Sequence, residues 1–510
     1  MNLAGVGALA GALVIVAGAC TGSPDAAFQP SLEWTDCPAK VESTFLSDHE
    51  CGYLTVLEDR SKQDGPTVKL LVIRVPPVGA TPAPGIVSGI GQNVGDPYDM
   101  SGGIATGATR LGRVVIELEH RGAGPYSEPS LRCPEVDALT ERAAISLTGD
   151  DELTALFVDA VGACAQRLRS SGIEPAAYDV ASVVADREDL RTVLGIDQWY
   201  MLGSYGTASR YLFEYLRTHP DRVGAAYADS PWFPELDELT GGALGTRAAL
   251  KRLFEACESD PECSASYPNL EQTWTAALER LAKAPLDGTY ETADGDTIDV
   301  TVDAGKLLRV ARFTLGGDGP GNLRSLPEMI AAAADGQITP QVLSIVANDP
   351  VFCAGYRPLC SGQDGFSLGV YLTTFCRDQL PFIDHDALSA AIDNDPSYQA
   401  VFGDSPYVRA CDAWDVPPSD APNIAPVDTD VPLLFLPGQF DSYSPPEWAQ
   451  EQAARQSRAW SIEIPANTHN TLGFAECAIS ARNAWVGNPT TPPDTTACNS
   501  APPIEFETPP

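Results

Sequence analysis

Two short stretches set a serine among glycines: LGSYG at residues 202–206 and GFSLG at 365–369. The second fits the pattern G-x-S-x-G letter for letter, while the first has Leu202 where the pattern has glycine. A serine so placed can attack an acyl carbon if a base takes its proton and a third group orients that base. Context separates the two. Ser204 follows the apolar run WYMLG and precedes ASRYLFEYLRTHP, whose apolar residues at 208, 211, 212, 215 and 216 mark one helix face closed by Pro220. Ser367 follows CAGYRPLCSGQD, a polar, turn-rich segment with no strand leading into it. The chemistry needs a sharp turn between strand and helix, so that the hydroxyl stands clear of the sheet edge. Ser204 meets that need, with Gly203 relieving the crowding around Leu202. In a chain with 44 glycines, Ser367 is a chance match.

Five histidines can be sorted by position. His49 lies in a polar segment before the first strand, and His120 ends a strand in EHRGAG. His219 stands before Pro220 at the far end of the helix after Ser204, and His385 lies among acids in IDHD. His469, in IPANTHNTLGF, comes just after a strand and is the candidate base. Asp441, in LLFLPGQFDSYSPP, follows the preceding strand and is the candidate for the acid that holds the imidazole. Asp229, in AYADSPW, is the alternative acid. The oxyanion would be met by the backbone N–H of Tyr205 and by one from the turn SGIGQN, at Ile90 or Gly91.

The elements that must carry these residues recur along the chain. Apolar runs at 52–59, 68–75, 83–91, 113–120, 199–206, 224–230, 431–438 and 460–467 read as eight strands, most of them buried on both faces. Helical patterns such as YDVASVVADREDLRTVLGI lie between them, which implies an α/β fold with a mostly parallel sheet covered on both sides. From 235 to 425 the alternation stops, and long helical stretches with one short hairpin (TYETADGDTIDVTV) read as an inserted, mainly helical cap. The organisation expected is therefore a core from 30 to 234, a cap from 235 to 425, a returning core from 426 to 500 and a tail from 501 to 510. The order Ser204, Asp441, His469 is that of the α/β-hydrolase fold.

Composition narrows the setting. The 510 residues are 44% hydrophobic and 20% charged, as a large folded core requires, and the net charge of -37 excludes polyanion binding. The uncharged run from Leu3 to Ala19 ahead of Cys20 reads as a secretory signal over residues 1–20. Ala17-Gly18-Ala19-Cys20 resembles a bacterial lipobox, in which Cys20 would be lipidated; an ordinary signal peptide is the alternative. Any membrane contact would pass through that anchor. Setting Cys20 aside, twelve of the thirteen cysteines remain, and spacing favours the pairs 37–51, 133–164, 257–263, 353–360, 376–411 and 477–498. Sequence alone does not fix that connectivity. An extracellular or cell-envelope location follows. No pattern calls for a metal or organic cofactor, and nothing speaks to the oligomeric state.

Four blocks, in order, resemble one family. They are RVVIELEHRGAGPYSEPSLRC, DREDLRTVLGIDQWYMLGSYGT, LPGQFDSYSPPEWA and NTHNTLGFAEC. Together they are similar to the tripeptidyl aminopeptidase and proline iminopeptidase-like α/β-hydrolases, over about Trp34 to Cys498 but sharply only in these blocks. The resemblance implies a triad of Ser204, Asp441 and His469, and removal of short peptides or single residues from a peptide N-terminus. Departures are Gly89-Ile90-Gly91-Gln92 at the oxyanion turn, Glu119-His120 before Arg121, and Leu202. A carboxylesterase or lipase with the same triad is the nearer alternative. A binding lipoprotein with a decayed site is the one from another class.

Overall fold

The computed structural model describes residues 27–39, 41, 48–77, 85–90, 112–137, 150–291, 295, 297–317, 319–348, 367–421 and 423–509. Cys20, Gly91 and the pair 353–360 lie outside them. Eleven strands run in chain order: β1 (Ser31–Thr35), β2 (Glu50–Leu57), β3 (Thr67–Val75), β4 (Ile86–Ile90), β5 (Val114–Leu118), β6 (Met201–Tyr205), β7 (Ala226–Asp229), β8 (Leu286–Glu291), β9 (Thr297–Val302), β10 (Leu433–Leu436) and β11 (Ala459–Ser461).

Nine of them form one sheet in the order β1-β2-β3-β5-β4-β6-β7-β10-β11, and β8 and β9 form a separate hairpin. The first three pairings are antiparallel, and from β5 onward every neighbouring pair is parallel. All eight expected strands are in that sheet. The ninth, β1, has no apolar signature in the sequence, because its residues SLEWT are mostly exposed and carry no alternation. It is held at the edge by antiparallel pairing with β2 along its whole length, and Trp34 lies under the Arg74 guanidinium, 4.9 Å from ring centroid to charge.

Alternation within the strands fills two cores. In β3, Leu70 and Val72 join the cluster on one face, while Leu71, Ile73 and Val75 join the other. Helices Val180–Val193 and Ser209–Thr218 cover the first face, and Glu476–Gly487 covers the second. Arg121, wholly buried after β5, donates to both oxygens of Asp186 at 2.5 and 2.6 Å and so ties the turn to helix Val180–Val193. Among the described residues, five disulfides join Cys37–Cys51, Cys133–Cys164, Cys257–Cys263, Cys376–Cys411 and Cys477–Cys498, as spacing suggested. They fit an oxidising compartment, and among the described residues no helix is long and apolar enough to cross a membrane.

Between β7 and β10 the chain leaves the sheet for helices led by Glu238–Ser259, Leu270–Lys283 and Ala304–Gly316. Farther along this stretch, one buried acid is expected to make stability sensitive to pH. Asp378 accepts the Val180 N–H at 3.1 Å, and burial together with nearby Asp179 pushes its pKa up to about 7. The folded chain thus keeps this proton to higher pH than the unfolded chain, so stability falls as pH rises from about 4 to about 7. Asp378→Asn keeps the acceptor and removes the titration. It is expected to add about 1–3 kcal/mol at pH 8 and little at pH 4, read by urea unfolding at the two values. Equal changes at both would contradict this assignment.

Candidate active site

β6 sits between β4 and β7, with Ser204 level with Ile90 on one side and Ala228 on the other. Leu202 points into the core that packs helix Ser209–Thr218 and is fully buried. Gly203 faces the other way, where a Cβ would meet Tyr227 Cζ at 2.6 Å. The small residue this strand requires therefore stands one position before the serine, which is how Leu202 is tolerated. The turn also differs from expectation. Ser204 is still within β6, and the left-handed residue is Gly206 (φ 53), two positions later. A 3-10 turn, Gly206–Ala208, then leads into the helix. The Ser204 hydroxyl is buried and shares a hydrogen bond with Ser209 Oγ at 3.2 Å.

Acid and base meet at the same sheet edge. β10 leads to Gly438, where a Cβ would fall 1.8 Å from the Thr468 carbonyl oxygen, so only glycine lets the two loops touch. Asp441, fully buried, accepts the N–H groups of Tyr443 (2.8 Å) and Ser444 (3.0 Å) on Oδ1. Its Oδ2 lies 2.7 Å from His469 Nδ1. A carboxylate there keeps the proton on Nδ1 and leaves Nε2 as the acceptor. Asp229 does something else. It receives Thr471 N (3.0 Å), Thr471 Oγ1 (2.8 Å) and Leu472 N (2.9 Å), while Ser230 Oγ receives Asn470 N (3.2 Å). The alternative acid thus pins the turn that follows the base. Burial raises its pKa, and these bonds from Leu472 and Thr471 pull it back.

Rings and cap backbone enclose His469. Tyr205 lies 5.0 Å away, centroid to centroid, and Tyr443 stands edge-on at 5.4 Å. Thr468 Oγ1 is 2.8 Å from the carbonyl oxygens of both Gly317 and Gly319, just past helix Ala304–Gly316. Ser442 Oγ donates to the Arg312 carbonyl at 2.8 Å, and Ser442 N to the Leu315 carbonyl at 3.3 Å. Carbonyls at a helix end need outside donors, and here the acid turn supplies them. Ser230, Ser442 and Thr468 carried no signal in the sequence, because their partners stand far away along the chain.

The other candidates fall elsewhere. Ser367 is buried at the start of helix Leu368–Thr374, and Gly369 is required because a Cβ would come 2.3 Å from the Leu131 carbonyl oxygen. The glycine that completed its motif thus serves packing. His120 packs on Tyr211 at 4.6 Å, and burial lowers its pKa to about 4. His219 Nδ1 is 2.8 Å from Thr218 Oγ1, and His385 opens helix His385–Ile392. β4 ends at Ile90 beside Ser204, so the segment proposed for the oxyanion begins at the right edge; Gly91 itself is outside the described residues.

A mixed sheet with β5 and β4 exchanged, a serine at the end of β6, and the Asp441–His469 pair in the loops after the last two strands decide the architecture. The chain folds as an α/β-hydrolase. Residues 397–498 match the family model described as TAP-like protein, which spans the acid and the base. Among solved structures, the chain is similar to a thermophilic esterase from Thermogutta terrifontis, with 13% identity, a TM-score of 0.36, and 86% and 99% of the two chains covered. A probable hydrolytic enzyme from Pseudomonas aeruginosa PAO1 gives 12%, 0.36, and 87% and 95%. The fold assignment rests on strand order and connections, not on these scores. No curated protein matches the sequence.

Proposed function

We propose that the protein is an exported serine hydrolase, and an aminopeptidase that releases short N-terminal peptides or residues. The observation that carries the hydrolase reading is the Asp441–His469 pair, 2.7 Å apart, at the edge where β6 presents Ser204; the aminopeptidase is what the resemblance of the four sequence blocks implies. Ser204 turns about χ1 from Ser209 and passes its proton to His469 Nε2 as it attacks the scissile carbonyl. Asp441 stabilises the imidazolium that forms, and the Tyr205 N–H, with one from Ile90 or Gly91, receives the oxyanion. His469 then protonates the leaving amine, and water releases the acyl group.

An exopeptidase must also bind a free α-ammonium. Glu238 opens the first cap helix and lies seven residues, about two turns, before Gly245, so both stand on one helix face. That face packs on the acid turn, because a Cβ at Gly245 would meet the Ser442 carbonyl oxygen at 2.4 Å. The Glu238 carboxylate accepts the Tyr371 hydroxyl at 2.9 Å, and burial raises its pKa. Glu238→Gln is expected to lower kcat/KM for free-N-terminus amides by about 10- to 100-fold and to spare N-acylated esters.

The test of the reading is turnover of Ala-Ala-Phe-type amides against short acyl esters. Amide hydrolysis that needs a free N-terminus supports the aminopeptidase. Ester hydrolysis alone makes the protein a carboxylesterase with the same triad. Export and lipidation at Cys20 would be read by radiolabelled fatty acid incorporation that Cys20→Ser abolishes.

A further inference from the structure

A cavity of about 330 Å³ opens between Arg210 of helix Ser209–Thr218 and the chain that runs from β7 to β10. Its walls come from residues 234–237 and Thr240, from Arg210, from Gln379 and Phe382, from Asp384 and Ala387 at the start of helix His385–Ile392, and from Ile424. None of Ser204, Asp441 and His469 lines it. We infer that it binds a primary ammonium carried on an aliphatic stem.

The orphaned atoms choose the ligand's chemistry. Gln379 is only 7% exposed, and its Oε1 is buried without a hydrogen-bond partner. It ends the π-helical turn Phe375–Gln379, a local distortion that recurs at functional sites. Glu235 accepts Gln452 and Arg455 on Oε1, but its Oε2 is likewise buried and unpartnered. Both atoms accept, and Thr240 Oγ1, buried without a partner on the same wall, can accept as well, so a donor satisfies all three. Leaving such acceptors buried and bare is costly, and native structures show few of them.

Charge points the same way. Glu235, Asp237 and Asp384 stand at the wall, and the latter two use Oδ1 to cap the helices they begin. Arg210 is the one basic residue among the described lining residues, and its guanidinium donates to the Leu236 carbonyl. Chelation of a metal ion does not fit. Among the described residues, the one set of three possible ligand atoms close together belongs to Cys37, His49 and Cys51, two of which are joined in a disulfide. Pro234, Leu236, Phe382 and Ile424 supply apolar walls for a stem, and the volume is at the lower end for small-ligand sites. The ammonium could sit on a free alkylamine or on a lysine side chain of a peptide, since both present the same group.

Calorimetric titration of the protein with n-pentylammonium chloride and with Nα-acetyl-lysine methylamide tests this. Saturable binding is expected, with Kd on the order of 1 mM for the tighter of the two. A tighter alkylamine indicates a small free amine; a tighter lysine derivative indicates a peptide side chain. Glu235→Gln and Gln379→Leu should each weaken binding at least about tenfold, with ester turnover unchanged. Gln379→Leu conserves volume, so it decides the matter if the other variant unfolds. Three results would overturn the proposal: no saturation, equal binding of 1-pentanol, or calcium chloride displacing the amine. Binding is read as heat and not as turnover, so its failure leaves the triad reading standing, and the converse holds.

Discussion

Ser204→Ala is expected to lower kcat/KM by about ten-thousand-fold or more on any substrate the protein turns over, whereas Ser367→Ala leaves it within about twofold. The asymmetry follows from placement. Ser204 lies on the central strand at the edge where Asp441 holds His469, and without its oxygen no acyl-enzyme can form. Ser367 begins a cap helix, and the glycine after it is explained by contact with Leu131. Steady-state kinetics on both variants, with circular dichroism to establish folding, checks the pair. Comparable losses in both variants would mean that the literal motif has a role here denied to it.

The second large effect separates two aspartates that the sequence left in competition. Asp441→Asn is expected to reduce kcat by about a thousand- to ten-thousand-fold with little change in unfolding midpoint. The amide would present a donor to His469 Nδ1, moving the imidazole proton to Nε2, where it blocks general-base catalysis. Asp229→Asn should act the other way round. It retains one acceptor oxygen but faces a donor toward Leu472 N or Thr471, costing about 1–3 kcal/mol of stability. Its effect on kcat should stay near tenfold, through a looser loop behind His469. Measuring kcat and urea unfolding on both variants distinguishes them. A ten-thousand-fold loss in Asp229→Asn with Asp441→Asn active would reverse the assignment.

What could be read from the residues alone, and what could not, has a physical pattern. Buried strands announce themselves as short apolar runs, so eight of the nine in the sheet were legible, and Asp441 and His469 were singled out because each follows such a run. β1 escaped because an edge strand with exposed side chains carries no such signature. Context singled out Ser204, but not the turn around it. Gly203, packed on Tyr227, and Gly206, in the left-handed conformation, divide between them what one glycine before the serine was expected to provide. The role of Asp229 depends on amides about 240 residues away, at Thr471 and Leu472, and no local pattern encodes that. The same holds for Ser442 and Thr468, which fasten the cap backbone to the acid and base loops.

The central claim is that Ser204 is the nucleophile, and covalent labelling tests it most directly. The protein would be treated with a fluorophosphonate, digested, and the adduct located by mass spectrometry, alongside Ser204→Ala and Ser367→Ala. The account predicts one phosphonylated residue, Ser204, with label lost in Ser204→Ala and retained in Ser367→Ala. An adduct on Ser367, or a folded protein that takes no label at all, would contradict it.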